Sequence, residues 1–230
     1  MGIVRLCNIT FGYGPGSKRL FEGLDVSFTE GERAGLVGAN GSGKTTLFHI
    51  IMGLLTPESG HVEVFGLKPQ GEEDFRKVRS QLGLLFQDPD DQLFCPTVAE
   101  DVAFGPLNLG ASRSEARRIV ADTLKLLGLE GFEQRTTFKL SGGEKRLVSL
   151  AAVLAMKPRM LLLDEPTAGL DEATTDRLVK ILGAPGLSYV IISHDRDFLA
   201  RTVNTTWSLA GGRATSQTPA PAKVVGNRDA

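Results

Sequence analysis

Three short stretches of the sequence carry residue types suited to phosphate chemistry. The first is Gly38-Ala39-Asn40-Gly41-Ser42-Gly43-Lys44-Thr45-Thr46, which fits G-x-x-x-x-G-K-[ST] between an apolar strand, "RAGLVG", and an apolar helix, "KTTLFHIIMGLL". Glycines let successive N–H groups turn inward around phosphate oxygens, Lys44 can reach the β/γ-phosphates, and the Thr45 hydroxyl suits a Mg²⁺ ion. The second is "MLLLDEP", an apolar run ending in Asp164 and Glu165. A carboxylate at the end of a buried strand can hold Mg²⁺ directly or through water, and the one beside it can polarise an attacking water. The third is "LSGGEKRLVSLA", Leu140 to Ala151, where Ser141 and Glu144 have the S-x-x-E spacing of a capping box. The glycines Gly142 and Gly143 leave that helix end bare, so it too offers N–H groups and a positive dipole end to an anion. One chain thus presents two phosphate-binding ends.

The elements that must position these groups alternate. "IVRLCNITFGYG" and "LDVSFTEGE" read as strands, "GHVEVFG" as an edge or subdomain strand, and "LGLLFQ" as a buried strand followed by Gln87. Thr97 opens a short helix, and Ala116, Ile119, Val120, Leu124 and Leu127 recur at helical spacing between a second capping box, Ser112/Glu115, and a stop at Gly128. The helix after Ser141 is expected to run to Pro158, and "YVIISHD" is a strand ending at His194. Strands alternating with helices and carrying polar groups at their ends predict a parallel α/β sheet with its site along one edge.

Composition excludes several classes. A chain of 230 residues with 41% hydrophobic and 23% charged residues has the makings of one sizeable domain, or of one domain with a subdomain inserted. A formal net charge of -1 and the lack of any Lys/Arg-rich run give no reason to expect nucleic acid. Cys7 and Cys95 form no metal-type pair, pointing to a reducing compartment. The opening "MGIVRLCNIT" has neither a signal-peptide build nor the myristoylation pattern, since Leu6 stands where Ser or Thr is wanted. No apolar run approaches the roughly 20 residues of a transmembrane helix, so membrane work would need another chain. His49 and His61 read as structural, and residues 214–230 as a poorly ordered tail.

These motifs, in this order, resemble those of the ATP-binding-cassette (ABC) ATPases, and the resemblance runs from Ile3 to about Arg213. It implies an α/β P-loop NTPase of ABC type with an antiparallel β subdomain and a helical subdomain inserted over about 88–158. It further implies ATP as substrate with Mg²⁺, held by Thr45, Gln87 and Asp164, in a head-to-tail dimer, here expected to be a homodimer. Ser141, Gly142, Gly143, Glu144 and Asp171 of "GLD" would then act in trans on the partner's ATP. Glu165 would be the base, His194 the γ-phosphate sensor, and Tyr13 the aromatic that stacks on adenine. The family's usual residue at position 144 is glutamine.

The segment "FQDPDDQLFCPTVAEDVAFGPLNLG", Phe86 to Gly110, is similar to the ATPases of energy-coupling-factor (ECF) importers, most of all the cobalt/nickel type. That likeness implies a membrane coupling protein and a separate substrate-binding membrane protein as partners, at the cytoplasmic face of the membrane. Biotin or another vitamin is the alternative cargo. A soluble ABC protein acting on ribosomes or DNA, suggested by "ISHDRDFL", is a more distant alternative. Leu93, Phe94 and Val98 are expected to form an exposed apolar docking set, with Gln87 as its hinge.

Overall fold

The computed structural model describes residues 2–14 and 16–217. From the N-terminus, β1 (Gly2–Phe11) and β2 (Phe21–Thr29) pair antiparallel, and β3 (Arg33–Val37) enters α1 (Lys44–Ile51) through the glycine loop. β4 (Ser59–Val64) returns to the free edge of β1, making a three-stranded antiparallel sheet in the order β2-β1-β4. Then come α2 (Glu72–Arg79), β5 (Leu82–Leu85), and the helices α3 (Val98–Asn108), α4 (Arg113–Leu127) and α5 (Gly142–Ala155). β6 (Met160–Asp164), α6 (Glu172–Leu182), β7 (Ser188–Ile192), α7 (Arg196–Thr202), β8 (Thr205–Ala210) and β9 (Arg213–Gln217) complete the described chain.

The second sheet has six strands in the order β5-β6-β7-β3-β8-β9, parallel except for β9. Every residue of β5, β6 and β7 is buried, as expected of parallel strands covered on both faces. Successive side chains of a strand point to opposite faces, so β6 feeds two cores. Met160 and Leu162 pack with Leu84, Val190 and α1 under the antiparallel sheet. Leu161 and Leu163 pack with Tyr189, Ile191 and the helices α3 to α7 on the other side. Each fully buried leucine of this kind contributes about 1.5–3 kcal/mol over an exposed one.

The structure shortens or extends several expected elements, each for a local reason. α1 stops at Ile51 rather than running on to Leu55, because Gly53 takes φ 70° just past the helix, where a Cβ would lie 2.3 Å from the Phe75 ring. α5 stops at Ala155, ahead of Lys157 in the left-handed region and Pro158. The Ser112 side chain accepts from the Glu115 N–H at 3.2 Å, but the return half of that capping box is not made. Thr97 and Glu100, in contrast, close a full box at the start of α3. The expectation of a poorly ordered tail from 214 is corrected at its beginning. Gly211 and Gly212, with φ 57° and 73°, form the two-residue turn of a hairpin, and Arg213–Gln217 pairs with β8 as β9. The rest of that tail, 218–230, lies outside the described residues.

Candidate active site

The groups singled out in the sequence sit at the ends of neighbouring strands. β3 delivers the glycine loop, β6 delivers Asp164 and Glu165, β7 delivers His194 two residues past its end, and β5 delivers Gln87. An open cleft of about 690 Å³ gathers Tyr13, Asn40, Gly41, Gly43, Lys44, Thr45, Thr46, Gln87, Asp164, Glu165 and His194. Gly38, Ala39 and Ser42 belong to the same loop without lining this cleft.

The loop is shaped for an anion. Gly43 at the N-terminal end of α1 has φ 101°, and a Cβ there would come within 2.6 Å of the Phe21 ring, so only glycine fits. No side chain caps α1 and its first turn holds no acidic residue, which leaves its N–H groups and positive dipole end for a ligand. Lys44 Nζ donates to the carbonyls of Gly38 (2.9 Å) and Ala39 (3.2 Å), folded over the loop it serves. The Ser42 Oγ is buried with no hydrogen-bond partner. Tyr13 is 68% exposed at the rim, its hydroxyl 2.6 Å from Thr46 Oγ1 and its ring edge-on to Phe11 at 5.1 Å. One aromatic face is thereby left open.

Across the cleft, Thr45 donates to Asp164 Oδ2 at 2.6 Å. Asp164 is buried, and that burial pushes its carboxyl above the usual range against the pull of the Thr45 hydrogen bond and the Lys44 charge. Glu165 occupies the left-handed region at φ 49°, a strained place for a non-glycine residue of the kind often found at working sites. Its N–H donates to Ile192 O at 2.8 Å, pinning the turn. Its Oε1 is buried without a hydrogen-bond partner and lies 3.6 Å from His194 Nε2, while Oε2 accepts from the His194 N–H at 3.4 Å. Burial again raises the Glu165 pKa, opposed first by that His194 N–H. A raised carboxylate with an unsatisfied oxygen, in the cleft that the glycine loop also lines, is chemically able to take a proton from water. The oxygens of Thr45, Asp164 and Gln87 form a hard donor set of the kind small divalent cations take.

Ser141, Gly142, Gly143, Glu144 and Asp171 do not line this cleft. They form a separate hydrogen-bonded cluster around the starts of α5 and α6. Ser141 and Glu144 make both halves of the capping box, Glu144 N–H to Ser141 Oγ at 3.3 Å and Ser141 N–H to Glu144 Oε2 at 2.8 Å. The other Glu144 oxygen accepts from Arg135 at 2.9 Å, so the acidic residue at 144 is hydrogen-bonded and charge-paired. The Ser141 N–H is the leading cause that holds its pKa low. Gly143 packs so closely on the Gly169 carbonyl that a Cβ would be 2.7 Å away, which joins the helix end to the turn leading to Asp171. Asp171 Oδ1 caps α6 through the Thr174 N–H at 2.7 Å.

Sequence reasoning missed several features. His49, expected to be structural, shares a hollow beside the cleft with Thr45 and Gln87, its ring 5.9 Å from Phe86. His61 lies in β4, away from the cleft. Of the apolar set expected to be exposed, only Phe94 is: Leu93 and Val98 are buried in the helical core. Phe94 instead stacks edge-on with Phe104 at 4.8 Å, beside a groove of about 870 Å³ between α3 and α4. Arg135 and Arg146 were not singled out, although a cation five residues into an otherwise apolar helix face was a signal for the second.

Comparison with known proteins places the chain in a family. The family model described as "ABC transporter" matches residues 21–168. A relative in Nitratidesulfovibrio vulgaris, provisionally named an ABC transporter ATP-binding protein, is 51% identical over 210 residues, 91% of this chain and 77% of its own. The energy-coupling factor transporter ATP-binding protein EcfA of Methanothermobacter thermautotrophicus is 40% identical, covering 91% of this chain and 68% of its own. The cobalt import ATP-binding protein CbiO of Syntrophus aciditrophicus is 40% identical, with coverage of 85% and 71%. Among solved structures, CbiO1 of Clostridium perfringens, part of the ABC transporter complex CbiONQ, superposes with a TM-score of 0.81 at 32% identity over 95% of this chain and 89% of that one. A dimeric ATP-binding cassette in a post-hydrolysis state with ADP and Pi superposes with a TM-score of 0.84 at 27% identity over 94% and 98%.

Proposed function

The chain belongs to the ABC transporter family, and from that premise we propose that it is the ATP-hydrolysing subunit of an ECF-type importer that energises uptake of cobalt or nickel. The observation that carries the chemical part is the meeting of Lys44, Thr45, Gln87, Asp164, Glu165 and His194 in one cleft, with Ser141 to Glu144 outside it. The cargo part rests on the likeness to EcfA and CbiO.

On this reading ATP lies along α1's N-terminus with its base against Tyr13 and its phosphates in the loop from Gly38 to Thr46. The oxygen donors of Thr45, Asp164 and Gln87 fit Mg²⁺, which would neutralise charge on the β- and γ-phosphates. Lys44 leaves its loop carbonyls for the phosphate oxygens. Glu165 orients the attacking water and takes its proton, and His194, exposed beside it, contacts the γ-phosphate. Ser141, Gly143 and Asp171 complete the partner's site in a homodimer; their placement outside the chain's own cleft supports this, as does the dimeric neighbour.

No helix among the described residues is long and apolar enough to cross a membrane. Transport therefore needs membrane partners, and the α3–α4 groove with the exposed Phe94–Phe104 pair is the surface proposed to receive a cytoplasmic helix of the coupling protein. The test is purification of the tagged chain from solubilised membranes of its host, then reconstitution of the complex in vesicles. ATP-dependent accumulation of cobalt or nickel is the expected result, lost in Glu165→Gln. Accumulation of biotin or another vitamin instead would move the cargo assignment. Salt-sensitive cosedimentation with ribosomes or DNA, and no membrane partner, would overturn the transport reading.

A further inference from the structure

Helix α5 holds a buried cation that the chemistry above does not use. Arg146 is 5% exposed, and among the described residues no carboxylate forms an ion pair with it. Its Nη1 donates to Phe86 O at 2.7 Å and its Nη2 to Gln87 O, while its Nε has no partner. Burial draws the guanidinium's pKa down, and the nearby charges of Asp164, Asp88 and Glu165 work against that. Desolvating a cation to satisfy two backbone carbonyls is a costly arrangement, and an apolar side chain would fill the space with less penalty. What those carbonyls belong to gives the arrangement a use. They are the two residues that leave β5, and the second is Gln87, whose side chain lines the cleft.

Two further ties hold the same segment. Lys145 Nζ meets Asp90 Oδ1 at 2.5 Å. Gln92 donates from Nε2 to Ser149 O at 2.9 Å while its Oε1 accepts from the Phe86 N–H at 3.2 Å. Residues 86–92 are therefore strapped to the first two turns of α5 by three side chains, rather than hanging free as a hinge. The strap joins functions that belong to different nucleotides. Ser141, at the start of α5, does not line the chain's own cleft, and Gln87 does.

We propose that Arg146 is a positioning residue that fixes the backbone of Gln87 to α5, so that the helix reading the partner's nucleotide also sets the glutamine of its own cleft. This rests on the reading of α5 as acting in trans. The path is short and stiff: Arg146 stands five positions beyond the N-cap Ser141, a rise of roughly 7.5 Å. The planar fork of arginine can span two successive carbonyls, which the single ammonium of lysine cannot reproduce.

The test is a double-mutant cycle on ATP hydrolysis by the full chain, using Arg146→Lys and Gln87→Ala. A misplacement of about 1 Å in a reacting group can cost up to ~10²-fold in rate. Arg146→Lys is expected to lower kcat by about tenfold or more and leave KM for ATP within about twofold, because no phosphate-contacting group is touched. The double variant should be no slower than Gln87→Ala alone. Independently of activity, backbone amides of residues 86–92 should exchange hydrogen faster in Arg146→Lys, with the rest of α5 unchanged. Should Arg146→Lys fail to fold, Lys145→Ala with Gln92→Ala loosens the same segment from its other two ties, and the same kcat-selective, non-additive loss is expected. Additive losses, or a loss confined to KM, would overturn the proposal while leaving the assignment of Gln87 intact. A silent Gln87→Ala would overturn that assignment and the proposal with it.

Discussion

Glu165 concentrates the cost of function in a single side chain. It sits at φ 49° with one buried oxygen unpartnered, and burial lifts its pKa above the ordinary 4.5. For such a group the sign of the stability effect is fixed. The folded state favours the protonated form, so the stabilisation is present below the unfolded pKa and is lost as pH rises through the folded one. At pH 7 the ionised carboxylate therefore weakens the fold, and Glu165→Gln should raise the stability of the isolated chain by about 0.5–2 kcal/mol, the usual gain when a functional compromise is relieved. Unfolding curves at pH 7 and near pH 4 check this: the gain should shrink on acidification. The same variant should still bind ATP but turn over at least ~10²-fold more slowly, as for a lost general base. In the wild type, kcat should rise with pH through an acid limb lying above the ordinary glutamate range. Turnover within a few-fold of wild type in Glu165→Gln would remove Glu165 from the base role.

At the scale of elements, the start of α5 shows what an acidic residue does at the third position of a capped helix. Glu144 accepts from the Ser141 N–H with one oxygen and pairs with Arg135 through the other. Glu144→Gln keeps an acceptor for Ser141, so it should change stability by less than ~0.5 kcal/mol, the exposed Arg135 pair being worth little. Glu144→Ala loses the return half of the box and should cost about 0.5–2 kcal/mol in urea unfolding. Equal losses for both would show that the charge, and not the cap, stabilises the helix end. The elements legible in the sequence were those whose signal is local. β6 and β7 read as uninterrupted apolar runs, and α4 and α5 carried caps and periodicity. α7 has too few turns to show a period, and β8 is half-buried along most of its length without alternation, so neither stood out. Arg146 and Arg135 were hidden because their partners lie 60 and nine residues away, contacts that only the folded chain brings together.

At the scale of the whole molecule, the separation of the glycine loop from the start of α5, read as two phosphate-binding ends of a composite site, predicts complementation. Lys44→Ala alone and Ser141→Arg alone should each be inactive. Mixed, they should form some dimers with one intact composite site, and partial ATPase activity should return. Full activity in each single variant would rule out catalysis in trans. The α3–α4 groove gives a separate prediction. Phe94 is 59% exposed and the aromatic ring it meets, Phe104, is itself half out in solvent, so Phe94→Glu should fold. It should leave ATP binding by the isolated chain unchanged and reduce co-purification with the coupling protein or cargo uptake. Assembly and uptake at wild-type levels would take Phe94 out of the docking surface.

The strand order has a consequence for how the protein is made. β7 lies between β6 and β3, although it is the last of the three to be synthesised. A nascent chain that has not yet released Ser188–Ile192 has a phosphate loop on β3 and a carboxylate pair on β6 with no strand to bridge them. Chains fold from the N-terminus as they emerge, so the early half can form its antiparallel sheet and glycine loop well before this gap is filled. β7 also supplies the carbonyl of Ile192 that accepts from the Glu165 N–H, so the turn carrying Glu165 is tied to that late strand. Until β7 takes its place between β6 and β3, the turn that carries Glu165 lacks the backbone partner that holds it.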